Sequence, residues 1–123
     1  MLLVSARSPK VFICEDDFLL AGALSDAVTQ LGCTVAACVG NIDSALREAV
    51  NADCELAIVD LDLRGVMAYE VLDTLTQRGI LYILASSANE DDIPVKYMHA
   101  PRVIKPYALE SLRQAMRALA IID

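Results

Sequence analysis

Short apolar runs alternate along this chain with stretches whose apolar residues recur at helical spacing. The first run, Val11-Phe12-Ile13-Cys14, stops at three acids, Glu15-Asp16-Asp17. Beyond them Leu20, Leu24, Ala27, Val28 and Leu31 share one side of a helical period, and Gly32 is a stop. Residues 34–39 are again apolar and partly β-branched, which predicts a second strand. Gly40-Asn41 is a turn, and Asn41 or Asp43 can cap a helix whose buried face is Ile42, Ala45, Leu46, Ala49 and Val50. Leu56-Ala57-Ile58-Val59 runs straight into Asp60, the pattern of a strand covered on both faces. After an Arg64-Gly65 loop, Val71, Leu72 and Leu75 mark a helix that Gly79 stops. Residues 80–85 predict a fourth strand, ending at Ser86-Ser87. An acidic loop, Asn89-Glu90-Asp91-Asp92, precedes a short helix that Pro94 opens, that runs to Met98 and that Pro101 closes. Arg102-Val103-Ile104 is a short fifth strand, left through Lys105-Pro106. The last helix has Leu109, Leu112, Met116 and Leu119 on one face and Arg113 and Arg117 on the other. Residues 1–9 lack a pattern and are expected to form a loose arm.

Strand followed by helix, five times over, implies a parallel sheet with helices on both faces. The expected fold is α/β: a flavodoxin-like, doubly wound, five-stranded parallel sheet of order 2-1-3-4-5 with five helices. The chain is expected to be one domain over residues 1–123, with its core in about 10–120 and no output domain. A hydrophobic content of 56%, without tryptophan, fits an aliphatic core. The net charge of −7 argues against nucleic acid and against an anionic membrane surface. No apolar run approaches a membrane span, and Met1-Leu2-Leu3-Val4 is too short for a signal-peptide core, so a cytoplasmic location is expected. Cys14, Cys33, Cys38 and Cys54 form no C-x-x-C pair and read as buried thiols. The single histidine, His99, lies far from them, so zinc is poorly supported.

In a parallel sheet the residues that end each strand gather on one edge, where ligands bind. Here those residues are Glu15-Asp16-Asp17, Asp60 with Asp62 two places on, Ser86, and Lys105. A carboxylate at a strand end is either a satisfied loop cap or a site; the matching chemistry at the other ends favours a site. Two carboxylates about 4 Å apart repel by roughly 4 kcal/mol at an effective dielectric near 20. A hard divalent cation relieves this, and Mg2+ suits one or two carboxylates together with waters and phosphate oxygens. Lys105 can hold a phosphoryl oxygen, Ser86 can donate to another, and Asp60 is the natural nucleophile for an acyl phosphate.

From Val11 to about Ala120 the chain resembles the receiver domain of bacterial two-component response regulators. The resemblance rests on Ile13-Cys14-Glu15-Asp16-Asp17, Ile58-Val59-Asp60, Ser86 and Lys105-Pro106, in that order, each after an apolar run. It implies Mg2+-dependent transfer of phosphate from a phosphohistidine onto Asp60. It implies a metal held by Glu15, Asp16, Asp60 and the backbone carbonyl of Asp62, with Asp17 starting the helix. Lys105-Pro106 becomes a candidate cis bond. The implied partners are a sensor histidine kinase or a histidine phosphotransfer protein and a downstream protein target, met by the face of the fourth helix, fifth strand and fifth helix. That face also makes a homodimer possible. Such a domain is labelled about once per cycle and is no turnover enzyme.

The chain departs from the family in several places. Arg102 stands where the family carries a switch aromatic, so coupling through an inward-swinging ring cannot operate in that form. Arg64 and Ala68 replace the usual Pro and later Gly, although Gly65 is kept, and Ser87 replaces a smaller residue. Residues 92–106 resemble a subgroup of stand-alone receivers in alphaproteobacteria. Two other readings stay open. One is a receiver-like binding module that acts without phosphate. The other is a haloacid-dehalogenase-like phosphohydrolase using Asp60-Leu61-Asp62, a resemblance confined to that strand.

Overall fold

The computed structural model describes residues 8–87 and 93–123. Five parallel strands form the main sheet: β1 (Lys10–Cys14), β2 (Thr34–Val39), β3 (Leu56–Asp60), β6 (Leu81–Ser86) and β7 (Arg102–Ile104). Their spatial order is β2-β1-β3-β6-β7, the doubly wound order expected. The three central strands are covered on both faces. Val11, Phe12 and Ile13 and the whole apolar run of β3 are fully buried, which is why their sequence shows no alternation.

Helices α1 (Phe18–Gln30) and α4 (Leu109–Ala118) cover one face, α2 (Ile42–Asn51) and α3 (Tyr69–Gln77) the other. On the first face Leu24 and Val28 of α1 and Leu112 and Met116 of α4 pack over Ile13, Ile58 and Ile83. On the second, Ala45 and Ala49 of α2 and Val71, Leu72 and Leu75 of α3 pack over Phe12, Val59 and Leu84. Asn41 caps α2, its side-chain oxygen accepting from Ser44 N at 2.9 Å, and Asp43 sits in the first turn. Val50, expected on the buried face of α2, is 59% exposed; the face turned to the sheet carries Ala45 and Ala49, with Ile42 and Leu46 packed beside them.

Two short strands escaped the apolar pattern. β4 (Asp62–Leu63) and β5 (Val66–Met67) pair antiparallel around Arg64-Gly65. Both turn residues have positive φ, 56° at Arg64 and 86° at Gly65, as a two-residue type I′ hairpin requires. Strands of two residues are too short to display alternation.

The expected fourth helix is instead a single 3-10 turn, η1 (Val95–Tyr97), so there are four α-helices among the described residues rather than five helices in all. Pro94 and Pro101 leave no room for a longer helix, and Pro94 is the residue before the turn rather than its first. Tyr97 buries η1 against α3, stacking on Tyr69 with ring centroids 5.3 Å apart. The acidic loop at Asn89-Glu90-Asp91-Asp92 and most of the expected N-terminal arm lie outside the described residues.

The sheet edges differ from its centre. β2 exposes alternate residues and gains one residue against β1, where Val11 pairs Val35 but Phe12 pairs Ala37. Cys38 on β2 is therefore exposed, and Cys54, in the loop before β3, is only partly covered, so only Cys14 and Cys33 are the buried thiols expected of all four. No helix is long and apolar enough to cross a membrane among the described residues.

Candidate functional site

Each acid after β1 has a separate environment. Asp17 caps α1: its Oδ1 accepts from Leu19 N at 2.9 Å and from Leu20 N at 3.1 Å. Asp16 is half-buried, and its Oδ2 accepts from Arg64 N at 3.2 Å, so the hairpin turn closes over it. Glu15 is buried, 2% exposed, although it is ionisable. It takes hydrogen bonds from Asp17 N at 3.1 Å and from the Tyr107 hydroxyl, and it pairs with Lys105 Nζ at 3.1 Å. Gly40 makes this packing possible, since a Cβ there would stand 3.3 Å from the Glu15 carbonyl oxygen.

Asp60 ends β3 and is equally buried. Its Oδ2 lies 2.6 Å from Lys105 Nζ, and its Oδ1 accepts from Asp62 N at 3.1 Å. Lys105 reaches it from just beyond β7, where the backbone N–H of Lys105 donates to the Ser86 carbonyl at 2.9 Å and the Lys105-Pro106 bond is cis. The Asp62 carboxylate points elsewhere and accepts from Gly65 N at 2.6 Å within the hairpin turn.

Burial pushes the Asp60 carboxyl up to about 7; Lys105 and the Asp62 N–H pull it back, and the charge of Glu15 adds to the rise. Burial works against the Lys105 ammonium, but its contacts with Asp60 and Glu15 prevail and hold its pKa above the ordinary value. Burial also pushes the Tyr107 phenol up, with the bond to Glu15 adding to it, so Tyr107 is a steady donor. Beneath the site, burial pushes the Cys14 thiol up, which keeps it protonated and inert.

Oxygen atoms of Glu15, Asp16 and Asp60 all lie within 4.8 Å of one another. Three carboxylates thus meet beside one ammonium, with Glu15 and Asp60 buried and Asp16 half-buried. An all-oxygen, anionic donor set of this kind fits a hard divalent cation. An open cavity of about 410 Å3 borders the acids on the α1 side, between Glu15, Asp16, Phe18, Gly22, Val39 and Arg64.

Of the residues expected at the site, the fold gathers Glu15, Asp16, Asp60 and Lys105. Ser86 is fully buried one residue beyond Ala85, the β6 residue opposite Asp60, and its hydroxyl accepts from Arg102 Nη2 at 3.0 Å. The Asp62 side chain stays outside the cluster. Two participants were not expected: Tyr107 as a donor to Glu15, and Arg102 as a donor to Ser86. A hydroxyl-bearing aromatic two residues after Lys105 was the available signal for the first; nothing in the pattern signals the second.

No family model matches the chain, and no curated protein matches it in sequence. Solved structures do. The chain is similar to SdrG from Sphingomonas melonis Fr1 at 26% identity and a TM-score of 0.83, over 92% of this chain and 97% of that one. It is similar to the receiver domain of the PhyR response regulator from Erythrobacter litoralis at 22% identity and a TM-score of 0.74, over 94% and 93% of the two chains. A CheY-like receiver domain from Methylobacillus flagellatus shares 16% identity with a TM-score of 0.78, over 92% and 99%. In fold this chain is of the response regulator receiver (CheY-like) type, the type its solved neighbours share.

Proposed function

We propose that this chain is a phosphoacceptor receiver that takes a phosphoryl group from a phosphohistidine onto Asp60, with Mg2+ held by Glu15, Asp16 and Asp60 and by the Asp62 carbonyl. The observation that carries this is the placement of Lys105 Nζ 2.6 Å from the buried Asp60, with Glu15 and Asp16 beside it. The Lys105 ammonium on a buried carboxylate can pass its charge to an incoming phosphoryl group, and the surplus of acids beside it suits a divalent cation that would offset their repulsion.

In the transfer, an oxygen of Asp60 forms a bond to phosphorus as the bond from phosphorus to the imidazole nitrogen breaks, and that electron pair stays with the imidazole. Lys105 offers charge to the phosphoryl oxygens, and Ser86 offers a hydroxyl. Tyr107 and Asp17 N fix the Glu15 carboxylate, so it need not reorganise when the site fills. Bound Mg2+ supplies neutralising charge for the acids and the incoming oxygens. The Asp62 carboxylate is committed to the hairpin turn, which leaves the Asp60-x-Asp62 phosphohydrolase reading without its general acid.

The donor is a sensor histidine kinase or a histidine phosphotransfer protein of the cytoplasm, and the domain signals rather than turning over substrate. Its contact with a downstream protein, or with a second copy of itself, is placed on the face of η1, β7 and α4. There Val95 is 83%, Met98 65% and Ile104 44% exposed. The test is intact-mass spectrometry after incubation with acetyl phosphate and Mg2+, with and without chelator. One Mg2+-dependent phosphoryl adduct, absent in Asp60→Asn, is expected. No adduct under any condition, with no Mg2+ binding, would overturn the reading in favour of a phosphate-independent binding module.

A further inference from the structure

We propose that Arg102 is a positioning residue for phosphoryl transfer, acting through Ser86; this rests on the receiver reading above. Arg102 opens β7 opposite Leu84, and its exposed side chain reaches two residues along β6 to put Nη2 3.0 Å from Ser86 Oγ. Ser86 itself is fully buried. A guanidinium has donors only, so this bond must be accepted by the hydroxyl oxygen. A hydroxyl carries one proton and two lone pairs. With Arg102 occupying a lone pair, the Ser86 proton is left to point at an acceptor, and donation into Oγ strengthens the O–H as a donor.

The acceptor this proton meets in the working site is a phosphoryl oxygen on Asp60. Ser86 follows Ala85, which lies opposite Asp60, and the Ser86 carbonyl takes the N–H of Lys105. Arg102 and Lys105 thus flank Ser86, one orienting its hydroxyl and the other holding Asp60. During transfer the Asp60 oxygen–phosphorus bond forms, the bond from phosphorus to the donor's leaving atom breaks, and Ser86 keeps its proton throughout. Arg102 touches neither reacting atom in this account. Its effect on transfer is exerted through the hydroxyl, which sets it apart from a ring that reports occupancy by moving inward.

The test is a double-mutant cycle on the initial rate of labelling by acetyl phosphate with Mg2+, read by intact mass, with circular dichroism on each variant. Arg102→Met and Ser86→Ala are each expected to slow labelling on the order of tenfold, the size of one charge-assisted hydrogen bond. The double variant Arg102→Met/Ser86→Ala is expected to be no slower than Ser86→Ala alone. Arg102→Lys, which keeps a cationic donor, should recover part of the rate. A wild-type rate in Arg102→Met, or losses that multiply in the double variant, would overturn the proposal while leaving the receiver reading intact. Absence of labelling in the wild-type chain would remove both. Should Arg102→Met lose native circular dichroism, Arg102→Leu takes its place in the same cycle.

Discussion

Two clusters in this molecule are built from the same three groups: a carboxylate, a lysine and a tyrosine hydroxyl. At the strand ends these are Glu15 and Asp60, Lys105 and Tyr107. Between α3 and η1 they are Asp73, Lys96 and Tyr97, with Tyr97 donating to Asp73 at 2.7 Å and Lys96 pairing with it at 3.0 Å. The outcomes are opposite. Burial drives the Asp60 carboxyl up despite its lysine. In the exposed cluster the Tyr97 hydroxyl, then Lys96, holds the Asp73 carboxyl below its ordinary value. The difference is solvent: the same partners that settle a carboxylate in water only offset its desolvation when it is buried. One cluster therefore fastens η1 to α3, while the other is kept under electrostatic tension that an added cation can relieve.

The comparison can be broken at its lysines first. Lys105→Ala leaves two buried carboxylates without a counter-charge and should cost about 3 kcal/mol in urea unfolding with chelator present. That is the low end for breaking a buried pair, since 20% of the Lys105 side chain is exposed. Lys96→Ala should leave the urea midpoint within measurement scatter, because its pair is open to water. The tyrosines come next. Tyr107→Phe removes only the hydroxyl that holds Glu15 and should cost about 1.5 kcal/mol. It should also weaken Mg2+ binding by isothermal titration; unchanged binding would mean that Glu15 needs no such support.

A smaller effect of opposite sign is expected from Asp60→Asn. It removes one buried anion while Lys105 keeps Glu15. Thermal unfolding in chelator should rise by about 4 °C, equivalent to about 1 kcal/mol in a domain of this size. A fall would show that the Lys105–Asp60 pair stabilises the empty site. The smallest effect lies in the exposed cluster. The stabilisation tied to the lowered Asp73 pKa is present above the ordinary carboxylate range and is lost as pH falls through that lowered pKa. Tyr97→Phe should flatten this loss when urea midpoints are followed from about pH 5 to about pH 3.

How much of this was legible beforehand follows from the kind of signal each residue leaves. Asp60 and Lys105 were legible because a run covered on both faces announces where it stops, and the stopping residue is then conspicuous. The strand order followed from alternation and from the placement of matching chemistry on one edge. The hairpin at Asp62–Met67 was not legible, because two-residue strands have no period and Arg64 is an unusual residue for a positive φ. The shortness of η1 was half-legible: its two prolines were read as limits, but the anchoring by one tyrosine depends on Asp73 and Tyr69, more than twenty residues earlier. The bond from Arg102 to Ser86 was least legible of all. Sequence position marked Arg102 only as a missing aromatic, while the reach of its side chain along the neighbouring strand is a property of the folded sheet.

The sheet's two borders bear on how this protein can live among many copies of itself and its partners. A border strand with free amides is an invitation to pair with any stray strand and aggregate. Here one border carries an extra residue that breaks its register, and the other, β7, is only three residues long. Neither makes a good template for a foreign strand. Encounters with other proteins are left to side chains, whose contacts form and dissolve quickly, as the proposed exchange of one partner for the next would require.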